Sequence, residues 1–150
     1  MSGQDEVMSR ISEAMERGQQ GDREVARQLF ADIWKDLTPE GDPFHRCTLA
    51  HYMADVQDDP QEELVWDLRA LEAAEQVTDA RAREYHASLS VRGFQPSLHL
   101  NLAEDYRKLG DLARAREHVA RARAAVDALD EDGYGRMIRA GIERLARQLD

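Results

Sequence analysis

Cysteine is almost missing from this chain, with one residue, Cys47, in 150. A lone thiol cannot close an intramolecular disulfide, and such usage fits a reducing compartment. Proline is scarce, at four residues, and no stretch is rich enough in serine or glycine to act as a linker. Apolar runs are short: none approaches the ~18 residues that a membrane span needs. The opening residues MSGQDEVMSR hold no apolar segment of a secretory signal. The expectation is a soluble cytoplasmic chain with no membrane partner.

Positive charge is also in short supply. The net charge of −10 argues against nucleic acid as the main ligand, because phosphate binding requires a basic footprint. The deficit is uneven: residues 1–75 hold 18 acids and 7 bases, residues 76–150 hold 12 acids and 13 bases. Eighteen of the bases are arginine and only Lys35 and Lys108 are lysine. With abundant alanine, that balance reads as the codon bias of a high-G+C bacterial genome.

Helical periodicity fills the space left by these absences, and no window shows sustained strand-type alternation. A first stripe, Val7, Met8, Ile11 and Met15, ends at Gly18 and Gly21. A second runs from Val25 through Leu29, Phe30, Ile33 and Trp34 to Leu37, before Thr38-Pro39. Asp42-Pro43 predicts the start of a third helix, carrying Phe44, Cys47, Ala50 and Ala54. Pro60 opens a fourth with Leu64, Leu68 and Leu71. Residues 79–95 form an irregular insert, with Arg92-Gly93-Phe94-Gln95 read as a loop before Pro96. Two helices follow, about 96–109 and 111–128, parted by Gly110-Asp111. After the acidic turn at 130–132, a last helix over 133–149 carries Ile138, Ile142, Leu145 and Leu149. Seven or eight helices on short turns make an array of α-hairpins.

Within that array, His99, Leu102, Ala103 and Tyr106, the turn Gly110-Asp111, and Ala115 and Val119 follow a known spacing. It is W-x2-L-G-x2-Y, then A-x3-F, and residues 96–128 resemble a tetratricopeptide repeat in that respect. His99 replaces the tryptophan, and Asp127 stands where the proline would be. The first hairpin matches through Met8, Ile11, Ser12, Met15, Ala26 and Phe30, with a turn two residues longer than consensus. The middle one matches through Cys47, Ala50, His51, Ala54, Leu64 and Leu68, with a turn one residue longer. The segment from Arg92 to Gly110 is also similar to a group of uncharacterised bacterial tetratricopeptide proteins.

This resemblance implies a single all-α domain over 1–150. It would be a right-handed α-hairpin solenoid of about three repeats (5–38, 43–77 and 96–128), capped by the helix at 133–149. It implies protein–protein interaction rather than catalysis, with another protein or peptide in a concave groove and no cofactor. The first helices line such a groove in this family. In the register set by Gly110, Ser97, Asn101, Glu104 and Lys108 share that face. Asparagine there can donate and accept at once, and so hold a peptide backbone or terminal carboxylate; alternatively it bridges adjacent repeats.

Other constellations are weaker. Cys47, His51 and Asp55 at i, i+4 and i+8 could present three metal ligands on one helix face, which is the basis for an alternative enzyme or metal-binding reading. No CxxC, HExxH or second His/Cys cluster accompanies them. The acidic turn fails as a calcium loop, since Ala128 and Arg139 would occupy ligand positions. Arg114, Arg116, Arg121 and Arg123, then Arg136, Arg139, Arg144 and Arg147, make a basic ridge. We read it as a solvated face with local pairs such as Glu117–Arg121. Trp34 and Trp66 fall within apolar stripes and read as core. The −11 and +1 halves allow one more alternative, a structural protein that packs with itself head to tail.

Overall fold

The computed structural model describes residues 3–37, 40–78, 80, 91–126 and 133–149. Among these residues all regular structure is helical, in seven helices and no strand. They are α1 (Gly3–Gln19), α2 (Arg23–Asp36), α3 (Pro43–Asp55), α4 (Pro60–Ala74), α5 (Val91–Lys108), α6 (Leu112–Ala125) and α7 (Gly133–Leu149). The chain divides into two compact units, Met1–Gln76 with α1–α4 and Val77–Asp150 with α5–α7. None of the described helices is long and apolar enough to cross a membrane.

Short polar side chains fix where these helices begin. Asp42 accepts from the Phe44 N–H, Asp59 from the Gln61 N–H and Asp111 from the Arg114 N–H. Each satisfies a backbone donor that the first helical turn leaves over. Pro43 and Pro60 follow two of these caps, where a missing N–H costs nothing.

The turns α1–α2 and α5–α6 are the same structure. Gly21 N–H donates to Gly18 C=O (3.1 Å) and Asp22 N–H to Arg17 C=O (3.0 Å). Gly110 N–H donates to Arg107 C=O (3.0 Å) and Asp111 N–H to Tyr106 C=O (2.9 Å). Gly21 and Gly110 take φ of +96° and +84°, the left-handed region in which a Cβ is strained. Matching the two glycines corrects the register expected for the first hairpin. The turn is not two residues longer, because α1 continues through Gly18 to Gln19 and only Gly21 reverses the chain. Ala14 and Ala26 then stand where Ala103 and Ala115 do, and all four are fully buried. Ser12, expected in the small position, is exposed.

The α3–α4 turn has no glycine. Val56 N–H donates to Met53 C=O and Gln57 N–H to Ala54 C=O, and arginines from α2 bind the carbonyls left over at this helix end. Arg27 donates to Val56 O (2.8 Å) and Arg23 to Gln57 O (3.0 Å). Both also bind the Asp58 carboxylate, at 3.0 and 3.1 Å, and hold it below its usual range by hydrogen bonding.

Alanine and large aliphatic or aromatic residues interlock in the core of each unit. In the first, Ile11, Ala14, Ala26, Phe30, Leu49, Ala50 and Ala70 are all nearly inaccessible. In the second, Ala103, Ala115, Val119 and Ala122 meet Ile138, Ile142, Leu145 and Leu149 of α7. Polar ties run along this seam. The Arg116 guanidinium caps the end of α7 at Leu149 O (2.9 Å), Arg139 caps α6 at Val126 O (3.1 Å), and Arg123 pairs with Glu143 (3.0 Å).

One boundary differs from expectation. Residues 92–95 are helical, α5 starting at Val91 rather than at Pro96. Proline inside a helix forfeits one backbone hydrogen bond, and it usually marks an end. Here Pro96 is fully buried beside buried Leu98 and His99, and tertiary packing of that kind overrides local propensity. The rest of the insert, at 79 and 81–90, lies outside the described residues, as does the acidic turn within 127–132.

Candidate functional site

Ser97, Asn101, Glu104 and Lys108 recur on α5 at i, i+4, i+7 and i+11, so the helical period places them along one stripe. Ser97, Asn101 and Glu104 are half-buried and Lys108 is exposed. Leu100, one residue before Asn101, packs into the seam with α7, and a Cβ at Gly141 would stand 3.0 Å from Leu100 Cδ2. The polar stripe therefore runs beside the flank of α5 that α7 covers. Glu104 is engaged by the fork of Arg107, whose Nε lies 3.0 Å from Oε2. That pairing raises the Arg107 pKa, through the hydrogen bond first and the charge second.

The opposite flank of α5 holds a constellation that the sequence reading missed. The rings of Tyr106, His118 and His99 stack in succession, with centroids 5.4 and 5.2 Å apart and planes at 12° and 24°. His99 Nδ1 lies 2.9 Å from His118 Nδ1, and His99 Nε2 lies 3.1 Å from Gln95 Oε1. A glutamine oxygen can only accept, so with this amide orientation His99 carries its hydrogen on Nε2. Its Nδ1 lone pair then accepts from the Nδ1–H of His118. Burial pushes the His99 pKa down to about 4, helped by the charges of His118 and Arg121. Burial and Arg121 lower His118 as well, against a smaller opposing effect of Glu117. Both imidazoles are held neutral, and both nitrogens of His99 serve the protein's own hydrogen bonds.

A signal for this pair did exist. His118 shares the stripe of Ala115, Val119 and Ala122, and an ionisable residue on a buried stripe requires a partner. In the repeat pattern His99 stands only as a substitute for tryptophan, and that spacing does not point to His118.

Cys47, His51 and Asp55 do not converge. Cys47 is in the core, and desolvation pushes its thiol up to about 12, far from the thiolate a metal would bind. His51 is half-buried with its ring 5.4 Å from that of Tyr52. Asp55, its pKa raised chiefly by desolvation, lines a cleft of about 240 Å³ with Met15, Arg23, Phe30 and Tyr52. Among the described residues, no group of three or more histidine, cysteine or carboxylate side chains is placed to hold a metal ion.

The basic ridge is bound into the unit. Arg121 pairs with Glu117 at 2.6 Å and Arg114 with Asp111 at 3.1 Å, while Arg116, Arg123 and Arg139 tie α6 to α7. Comparison of the chain with protein-family models, curated proteins and solved structures gives no match.

Proposed function

We propose that the chain is a tetratricopeptide-like interaction module and not an enzyme, and that the Ser97–Asn101–Glu104–Lys108 stripe contacts a segment of another protein. One observation carries this reading: two hairpins share a turn, a capping aspartate position and a matched set of buried alanines. Repetition of one hairpin design in a single chain is what a helical array requires. Such arrays work by presenting surface rather than by chemistry, which makes the functional step an analogy from fold. Asn101 carries an amide on that stripe, a group able both to donate and to accept.

The test begins with affinity capture from the native cell to obtain a partner. Wild type, Asn101→Ala and Arg121→Ala are then titrated with it. Asn101→Ala keeps helix propensity and should cost about 1–3 kcal/mol of binding, a weakening of roughly ten-fold or more. Arg121→Ala, which loses an exposed pair with Glu117 and a charge near the His99–His118 pair, should bind as wild type does. Weaker binding for Arg121→Ala alone would move the interface to the α6 ridge. A lower melting temperature with unchanged affinity for Asn101→Ala would make this residue a bridge within the fold.

A further inference from the structure

The two tryptophans of the first unit do more than fill space. Trp34 of α2 and Trp66 of α4 meet edge to face, with centroids 5.1 Å apart and planes at 82°. A guanidinium covers each: Arg46 of α3 lies 4.3 Å from the Trp34 centroid, and Arg69 of α4 lies 4.4 Å from that of Trp66 and 5.8 Å from that of Trp34. Both arginines line one cleft of about 130 Å³, with Pro43, Glu72, Ala73 and Gln76. We propose that Arg69, laid on the indole faces at the α3–α4 cleft with Arg46 beside it, binds an isolated carboxylate carried by an otherwise neutral or basic peptide.

Two observations support this. First, the unit has a large surplus of acids, and four of its arginines, Arg10, Arg17, Arg23 and Arg27, each pair with a carboxylate. Arg69 makes neither an ion pair nor a hydrogen bond among the described residues, although Glu72 borders the same cleft. Second, stacking on an indole desolvates one face of a guanidinium and limits its rotamers while leaving the N–H edge open. A planar oxyanion binds through that edge in a bidentate fork, at reduced entropic cost.

Size and net charge select the ligand. A cleft of 130 Å³ admits a carboxylate and its nearest methylenes. Residues 1–75 carry 18 acids against 7 bases, which repels a polyanion at long range and spares a peptide whose remaining charges are positive. The site lies wholly within the first unit and stands independently of the reading given to α5.

These are the only two tryptophans in the sequence, so their two indole N–H signals in a 15N-labelled sample report on this cleft directly. Three five-residue peptides with a lysine at each end serve as probes: one with a central glutamate and both termini blocked, one with a central alanine and a free C-terminal carboxylate, and one with a central glutamine and both termini blocked. Inorganic phosphate is the fourth probe. Both indole signals should shift saturably with the first peptide, the second or both, which identifies the source of the carboxylate, and the glutamine peptide should move neither. Arg69→Gln should weaken the response ten-fold or more, and Arg69→Lys, which keeps the charge and loses the fork, by less. Lys35→Gln should leave it unchanged. Should Arg69→Gln fail to fold, Arg69→Lys still decides the matter. Equal midpoints in wild type and the Arg69 variants, an equal response to the glutamine peptide, or no saturable shift up to about 10 mM overturns the proposal. Saturation by phosphate and by no peptide overturns it in favour of a phosphate site.

Discussion

Buried ionisable side chains set the pH range over which the second unit is stable. His99 faces His118, Gln95 and, through charge, Arg121, and its folded pKa of about 4 lies below the usual 6.5. The folded state therefore refuses a proton that the unfolded chain accepts. With a depressed histidine pKa the contribution is complete above pH 6.5 and is lost as pH falls from there to about 4. His118 shifts in the same direction and adds to the loss. We expect the melting temperature of wild type to fall between pH 7.5 and pH 5 by roughly 3 °C or more beyond the fall in His99→Gln, followed by circular dichroism. Although less stable at pH 7.5, the variant should lose less on acidification. Parallel curves for the two proteins would show that the histidine pair does not remain neutral in the fold. At the same scale, Arg116 holds the C-terminal carbonyl of α7 at Leu149, and replacing it would disturb that helix end.

At the scale of elements, α7 is the clearest case of a helix whose sequence states its role. Ile138, Ile142, Leu145 and Leu149 form one stripe, and all four are buried against Ala103, Ala115, Val119 and Ala122. Deleting residues 133–150 would bare that alanine-lined face together with Leu100, and would strand Arg123 without Glu143. The truncated protein should aggregate in light scattering, and Ile142→Ala in the full chain should cost about 2–4 kcal/mol. A soluble, monomeric truncation that melts like the parent would show that α7 covers nothing the rest needs covered. Helix starts were legible because Asp42-Pro43, Asp59-Pro60 and Gly110-Asp111 are local signals, read within a few residues. The start of α5 was not, because the burial of Pro96 depends on packing that a local pattern does not carry. Nor was the first hairpin's register, since Gly18 and Gly21 look alike in sequence and only a hydrogen-bond pattern shows which one turns the chain. Candidate sites follow the same division. The polar stripe on α5 could be read from periodicity. The Trp34–Arg46–Trp66–Arg69 cluster draws on three helices, and no spacing within one of them announces it.

For the whole molecule, the array reading makes a demand that neither unit makes alone. Each compact unit has its own core, with Phe30, Leu49 and Ala50 in the first and Leu102, Val119 and Ile142 in the second. Units that share no interface melt separately, each with its own enthalpy and its own dependence on conditions. Stacked hairpins instead couple through nearest-neighbour interfaces and melt together. The pH dependence of His99 makes the distinction measurable, because it acts on the second unit alone. We therefore expect a helix-dominated far-UV spectrum, a single thermal transition at pH 7.5, and a transition that stays single as acid destabilises the second unit. In an uncoupled chain the same acidification would split the curve, the second unit melting first and the first unit retaining its midpoint. Calorimetric and van't Hoff enthalpies that agree at both pH values would establish coupling, whereas two resolved transitions at pH 5 would end the array reading and leave two independent helical units. Light scattering at low and high salt belongs in the same experiment, because halves with 18 acids against 7 bases and 12 against 13 could also couple between molecules. A mass that stays monomeric across the salt series assigns the coupling to one chain; a mass that falls with salt assigns it to charge-driven self-association.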